Sequence, residues 1–352
     1  MNLPAAGLAG GEADTLLRED FAKAFVLAVG RIARVVRMLR LGGLPVRVEI
    51  AGPRLAERLL RPWLHLLGDE ETPPSFRIQA WSEEETGVAI PEFPFEPKPY
   101  SADGRIAYRN QTNGRALADR GERLILAGFD AASHLTYSDI AKPFRSLLIP
   151  MLHDAGRQLI HGGVVARAVD APGLLLAGRS GSGKSTVAVA ALAGGLAFLG
   201  DDHVALSQEG GRFMAHSLYA TCGLAADHLK AFPSLPGEIV APPDRGKRVL
   251  LLAPGESDRL ARSVAIGAIV IPTIVPGAGA RAVPASRGEA LRALIPGSIS
   301  PRLPAAEQAR NWQFAGVGDL AASLPAFHLE MGSDLGTIPA ALRALSVRLS
   351  SR

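Results

Sequence analysis

The chain has 352 residues, 47% of them hydrophobic and 20% charged, which suits a globular protein with a sizeable core and, by length, two domains. A net charge of +4 with dispersed Lys and Arg gives no argument for nucleic acid, and a single cysteine, Cys222, excludes an intrachain disulfide. Residues 1–14 lack the basic-then-apolar order of a signal peptide, and no apolar run approaches the roughly 18 residues that cross a bilayer. The expectation is a cytoplasmic protein with no membrane span.

In chain order, a flexible tail is expected over residues 1–15. Phe21, Phe25, Ile32, Val36 and Leu39 recur at helical spacing, predicting one or two helices over 17–41 that Gly42-Gly43 closes. Arg31, Arg34, Arg37 and Arg40 mark that stretch as basic, which is read first as a solvated face. Val46 to Ile50 alternates like a strand, Pro53 to Leu66 like a helix and Ser75 to Trp81 like a strand. The prolines at 91, 94, 97 and 99 enforce a loop. Arg105 to Arg109 and Arg123 to Ala127 read as strands flanking a turn-rich segment with Asn113-Gly114. Residues 16–137 are therefore expected to form a small α+β domain, and residues 138–352 a second one. That second domain opens on a helix over 138–158, capped by Ser138 and kinked or split by Pro150.

The chemistry begins after that helix. The apolar run Gly173 to Ala177 feeds the pattern Gly-x-x-x-x-Gly-Lys-Ser, here Gly178-Arg179-Ser180-Gly181-Ser182-Gly183-Lys184-Ser185, and then a helix from Thr186 to Ala193. Strand before and helix after are the context a phosphate-binding loop requires. Its glycines let successive N–H groups point inward as an anion nest, and the helix N-terminus adds partial positive charge. Lys184 is placed to reach β- and γ-phosphates, and the Ser185 hydroxyl to ligate Mg²⁺. Ser180, Gly181, Ser182, Gly183 and Thr186 complete the predicted nucleotide cradle.

Gly194-Gly195 ends the helix, and a short apolar run leads to Gly200-Asp201-Asp202. A helix of about ten residues rises about 15 Å, and a five-residue strand returns about as far. With a right-handed crossover the new strand runs parallel to the first, so Asp201 and Asp202 should emerge beside the loop. Two carboxylates next to a triphosphate suit metal binding and proton abstraction. His161, in the predicted strand Ile160 to Val165, is read two ways: a hydrogen-bonded packing residue, or a group that orients an acid or base near the loop. His203 is read as structural. Arg245, Lys247 and Arg248 lie in a polar loop, and Lys247 and Arg248 are candidates for contacting the nucleotide.

His161-Gly162, the loop at 178–185 and an acid pair so soon after Lys184 together resemble the HPr kinase/phosphorylase family and its peptide-tailoring relatives. The stretches Ser217-Leu218-Tyr219, Gly246 to Leu250 and Phe327 to Asp334 resemble the related group as well. The resemblance implies an α/β fold: a phosphoenolpyruvate-carboxykinase-like P-loop kinase domain preceded by the smaller α+β domain. It implies transfer of the γ-phosphoryl group of ATP to a hydroxyl, typically serine, of a peptide or protein acceptor, with ATP and Mg²⁺ as cofactors. On this chain Asp201 would be the base, Asp202 and Ser185 the Mg²⁺ ligands, Lys184 the phosphate contact and His161 a neighbour of the base. The family assembles as hexamers, so the resemblance also implies a homo-oligomer.

The chain departs from the family at two places. It lacks the segment that true HPr kinases carry after the acids, which speaks against HPr as acceptor and against phosphorolysis. Cys222-Gly223 stands where relatives often carry a lysine. The alternatives are a nucleotide-binding regulatory protein that transfers nothing, and a kinase for a small metabolite.

Overall fold

The structure, a computed structural model, describes residues 10–94, 96, 98–225, 230–232, 235, 237–244, 247–252, 258–277, 279–298 and 312–350. Three sheets with helices against them make a mixed α/β protein. Residues 10–15, read as tail, are instead the first turns of helix α1 (Gly10–Arg31), which buries Leu17, Phe21, Ala24, Phe25 and Ala28.

The helix predicted to continue to residue 41 stops there. Arg34–Leu41 is strand β1, paired antiparallel with β2 (Leu44–Ala51). The reason is the turn: Gly42 and Gly43 take φ of 61° and 79°, the two left-handed positions of a tight hairpin. Arg34, Arg37 and Arg40 are exposed on this edge strand, where charge discourages pairing with another chain.

Helix α2 (Pro53–Leu60) and a 3-10 segment (Arg61–Leu66) return the chain to β3 (Phe76–Ser82), parallel to β2. A one-turn helix α3 (Glu83–Thr86) follows, then β4 (Ile106–Gln111), β5 (Gly114–Asp119) and β6 (Leu124–Phe129). The sheet order is β1-β2-β3-β6-β5-β4. Strand β5 was expected as turns. Asn113-Gly114 in fact closes the β4–β5 hairpin, and β5 pairs along its whole length with β4 and β6.

The single helix expected over 138–158 is two, α4 (Tyr137–Ala141) and α5 (Arg145–Asp154). Its cap is Thr136, whose hydroxyl accepts from the Asp139 amide, and not Ser138. The break falls before Pro143, because a residue preceding proline is pushed out of the helical region, and Lys142 takes φ −147°, ψ 65°. Pro150 sits inside α5 without splitting it. Ile140, Leu147, Leu148, Met151 and Leu152 bury into the core of the first sheet, so the boundary drawn between 137 and 138 runs through a shared core.

The second sheet takes β7 (Gln158–Ile160), β8 (Gly163–Ala166), β9 (Gly173–Leu176), then, after helix α6 (Lys184–Ala193), β10 (Ala197–Gly200), β11 (Val204–Glu209) and β12 (Arg212–His216). The strand expected over 160–165 is broken at His161-Gly162 into β7 and β8. A small third sheet holds β13 (Thr221–Ala225), β14 (Glu238–Asp244) and β15 (Lys247–Leu251) in the order β13-β15-β14. The long β16 (Ser263–Ile274) returns to the second sheet, followed by β17 (Ala280–Ala285), α7 (Arg287–Ser298), α8 (Trp312–Ser323), β18 (Ala326–Met331) and α9 (Ile338–Ser350). The order is β10-β8-β9-β16-β12-β11-β7, with β18 also on β16 and β17 on β18.

Alanine and valine let α6 bury nearly all round, among Leu174, Leu176, Phe198, Cys222, Leu224 and Leu342. That burial seats the start of α6 rigidly against the sheet. Among the described residues no helix is long and apolar enough to cross a membrane.

Candidate functional site

Strand β9 ends fully buried at Leu176, and the Ala177 amide is held by the Val270 carbonyl at 2.9 Å. The loop that follows turns on Gly178, Gly181 and Gly183, with φ of 150°, 83° and 98°, conformations that side chains disfavour. Space is short as well: a Cβ on Gly178 would stand 2.7 Å from the Ser182 hydroxyl. Gly183 is the left-handed entry to α6. The Lys184 ammonium lies back across the loop, donating to the Gly178 carbonyl at 2.8 Å and the Arg179 carbonyl at 3.0 Å. Among the described residues the buried Ser182 hydroxyl has no partner, which leaves the loop with polar capacity for a ligand.

Strand β10 pairs antiparallel with β8, and β8 antiparallel with β9. It therefore runs parallel to β9 one strand away, and its C-terminal end carries the acids to the phosphate loop. The approach is close: a Cβ on Gly163 would meet the Gly200 carbonyl at 2.9 Å and the Asp201 Cα at 3.1 Å. Glycine in His161-Gly162-Gly163 thus makes room for the acid turn.

Asp201 is 3% exposed. The Ser185 hydroxyl and the Gly223 amide, at 3.3 Å, donate to its carboxylate. Burial pushes its pKa up to about 6, with Lys142 pulling down and the charge of Asp202 adding to the rise. Asp202 is surrounded by donors. Nε2 of His161 lies 2.8 Å from Oδ1, Nδ1 of His203 lies 2.8 Å from Oδ2, and the Lys142 ammonium also donates to Oδ2. Burial opposes its charge, but the two imidazole hydrogen bonds and then the charge of Lys142 outweigh it and hold the carboxyl well below the usual range. Burial lowers His203 to about 4, so this ring is neutral and donates through Nδ1–H. The two imidazoles stack, centroids 5.3 Å apart and planes 8° from parallel, and the His161 amide is tied to the Gly297 carbonyl at 2.8 Å.

His161 and Asp202 of this cluster line a cleft of about 220 Å³, with Asp201 buried behind it. Ser180, Gly181, Gly183, Lys184, Ser185 and Thr186 form one wall, with His161 and Asp202 opposite and Gly223, Leu224 and Ala225 of β13 closing a side. The predicted loop, histidine and acid pair are therefore brought together. Two details differ from the expected pairing: His161 bonds Asp202 and not the Asp201 base, and Ser185 bonds Asp201 and not its expected co-ligand Asp202. Arg248 is exposed on β15, behind β13, and does not line the cleft. Arg245 and the Lys247 side chain lie outside the described residues. Sequence reading missed Lys142, the Gly223 amide and the place of His203; only His203 carried a signal, its adjacency to Asp202.

No family model and no curated protein matches the chain. Among the solved structures that match is the HPr(Ser) kinase/phosphatase from Coxiella burnetii, which aligns over 55% of this chain and 99% of its own, at 12% identity and a TM-score of 0.29. A likeness that slight carries no weight for fold or activity, so function is argued from the site.

Among the described residues no three or more His, Cys, Asp or Glu side chains form a cluster that could hold a metal by themselves. Ser185, Asp201 and Asp202 are instead oxygen donors of the kind that hold a hard cation together with phosphate oxygens and water. A larger cleft of about 440 Å³ lies at Arg54, Arg58, Arg61, Glu84 and Glu238. There Arg61 pairs with Glu238 and Arg54 with Glu84, so the charges satisfy each other.

Proposed function

We propose that the protein is a magnesium-dependent ATP kinase that phosphorylates a hydroxyl, serine in type, of a peptide or small protein. The carrying observation is the hydrogen bond of Ser185, first residue after the phosphate-loop lysine, to the buried Asp201 carboxylate. It puts an acid–base group at the mouth of an anion-binding loop, an arrangement a Gly-rich structural turn does not need. On this reading the core is a P-loop domain of the phosphoenolpyruvate-carboxykinase type.

The phosphates lie along the amides of residues 180–186, and Lys184 turns from the loop carbonyls to their oxygens. Ser185 and Asp202 would hold Mg²⁺, which would supply charge neutralisation on the phosphates. Asp201 faces the acceptor hydroxyl. A bond forms from the acceptor oxygen to the γ-phosphorus, the bond to the bridging oxygen of ADP breaks, and the hydroxyl proton passes to Asp201. Positioning and charge stabilisation supply the rate, since the protein makes no covalent bond.

Asp201→Asn tests this. Transfer from labelled ATP to serine-bearing peptides should fall by about 10²–10⁴-fold, with nucleotide affinity kept within a few-fold. Transfer at the parental rate would remove the base, and a parent protein that bound no magnesium nucleotide would remove the whole reading.

A further inference from the structure

Lys142 reaches the acids from a segment far from them in sequence, and that segment is anchored on both sides of it. The Ala141 carbonyl accepts from the Thr221 hydroxyl at 2.6 Å, and the Pro143 carbonyl accepts from the Tyr219 hydroxyl at 3.0 Å. Both donors are buried, and Thr221 opens the strand that closes the cleft. Upstream, buried Asp139 binds Arg109, Asn113 and Thr136. Downstream, Phe144 holds a left-handed φ of 57°, strained for a side chain of its size. The backbone is thus pinned so that one ammonium, 16% exposed, points into Asp202. Placing a cation there is costly unless the charge has a use or a partner.

Oδ2 of Asp202 is the fuller oxygen: it takes both His203 and Lys142, while Oδ1 takes His161 alone. A cation that binds through Oδ2 must displace one of its two donors. The imidazoles are stacked on each other, and His161 is fixed through its backbone. Lys142 ends a flexible four-carbon stem and is the donor free to swing. We infer that Lys142 is the resident counter-ion of Asp202, displaced when a magnesium nucleotide enters and received by the terminal phosphate. The inference rests on the kinase reading and deepens it: Lys142 makes the site prefer a triphosphate.

The two nucleotides should therefore respond in opposite directions. Calorimetric titration of the full chain with Mg·ADP and with the Mg complex of the β,γ-imido analogue of ATP is the test, in parent, Lys142→Met and Lys142→Arg. Lys142→Met should tighten Mg·ADP by about threefold or more, because the competitor is gone, and weaken the triphosphate analogue by about tenfold or more, because a charged hydrogen bond is lost. Lys142→Arg should keep most of the preference. An equal change for both ligands, or none, would assign Lys142 a merely structural part and overturn the inference while leaving the kinase reading standing. A parent that binds neither ligand would overturn both.

Discussion

Two buried acid clusters lie at opposite ends of the short segment 139–142, and they are built differently. At Asp139 every donor is internal: Arg109 on Oδ1, and on Oδ2 the Asn113 amide at 2.8 Å, the Thr136 amide at 3.0 Å and the Thr136 hydroxyl at 2.7 Å. Arg109 in turn lies over the Phe129 ring, 5.5 Å from its centroid. The cluster is closed, and it joins α4 to the first sheet. At Asp201 and Asp202 there are five donors against four, but Asp202 opens onto the cleft beside the glycine-rich loop. Burial of charge is common to both, so burial alone does not mark a site. What separates them is an open face next to the glycine-rich turn at 178–183.

Neutralising one acid in each cluster should separate their effects. Asp201→Asn, the largest effect expected, removes transfer by the 10²–10⁴-fold given above while leaving the denaturant midpoint unchanged or raised, since a costly buried charge is gone. Asp139→Ala leaves Arg109 buried without its partner and should cost about 3–5 kcal/mol of stability, read from urea unfolding. If Asp139→Ala silenced transfer with an unchanged midpoint, the closed cluster would belong to the chemistry and the contrast would fail.

The open cluster was half legible in the sequence. The loop from Gly178 to Ser185 announces itself because its residues match the phosphate-loop pattern in the required context of strand before and helix after, and the short run to Asp201 follows from element lengths. Lys142 was not legible: it meets Asp202 across 60 residues, through packing that no local pattern encodes. The first sheet shows the converse limit. Ile32, Val36 and Leu39 carried a helical spacing on through residues 34–40, yet Gly42-Gly43 made them one arm of a hairpin. Strand β5, Gly-Arg-Ala-Leu-Ala-Asp, carries no β-branched residue and ends in a buried Asp119 that Arg105 pairs, so its place between two neighbours outweighs its weak propensity.

A smaller effect sharpens the contrast through pH. Near the contact of the first two sheets, burial, and then Arg262, depresses His65 to about 3, and burial, and then Arg157, depresses His216 to about 4. Both fold neutral, hydrogen-bonded to Ser217 and Ser207 respectively, each at 2.8 Å. The unfolded chain takes up these protons below about 6.5, so this stability is full above that pH and is lost as pH falls toward 4, by about 1.4 kcal/mol per unit per proton. Asp201 works the other way: its folded pKa of about 6 exceeds the unfolded 3.8, so its cost is relieved as pH falls through that window. The urea midpoint should therefore drop between pH 6.5 and 4.5, less steeply in His216→Gln and more steeply in Asp201→Asn. A flat profile in the parent, unchanged in both variants, would mean that none of these groups is buried as described.

The smallest change tests whether the closed cluster is one unit or a pair plus a cap. Thr136 caps α4, its hydroxyl accepting from the Asp139 amide and donating to the Asp139 carboxylate. Losing a cap of this kind costs about 1 kcal/mol, and Asp139 keeps Arg109 and Asn113 when the hydroxyl goes. Thr136→Ala should lower the urea midpoint by that small amount, and Thr136→Ser should restore it. Nucleotide preference should move in the direction of Lys142→Met but by less, because a frayed α4 holds Lys142 less firmly over Asp202. A loss as large as that of Asp139→Ala would show the hydroxyl to be integral to the ion pair, and the anchoring of Lys142 would then begin at residue 136 and not at 139.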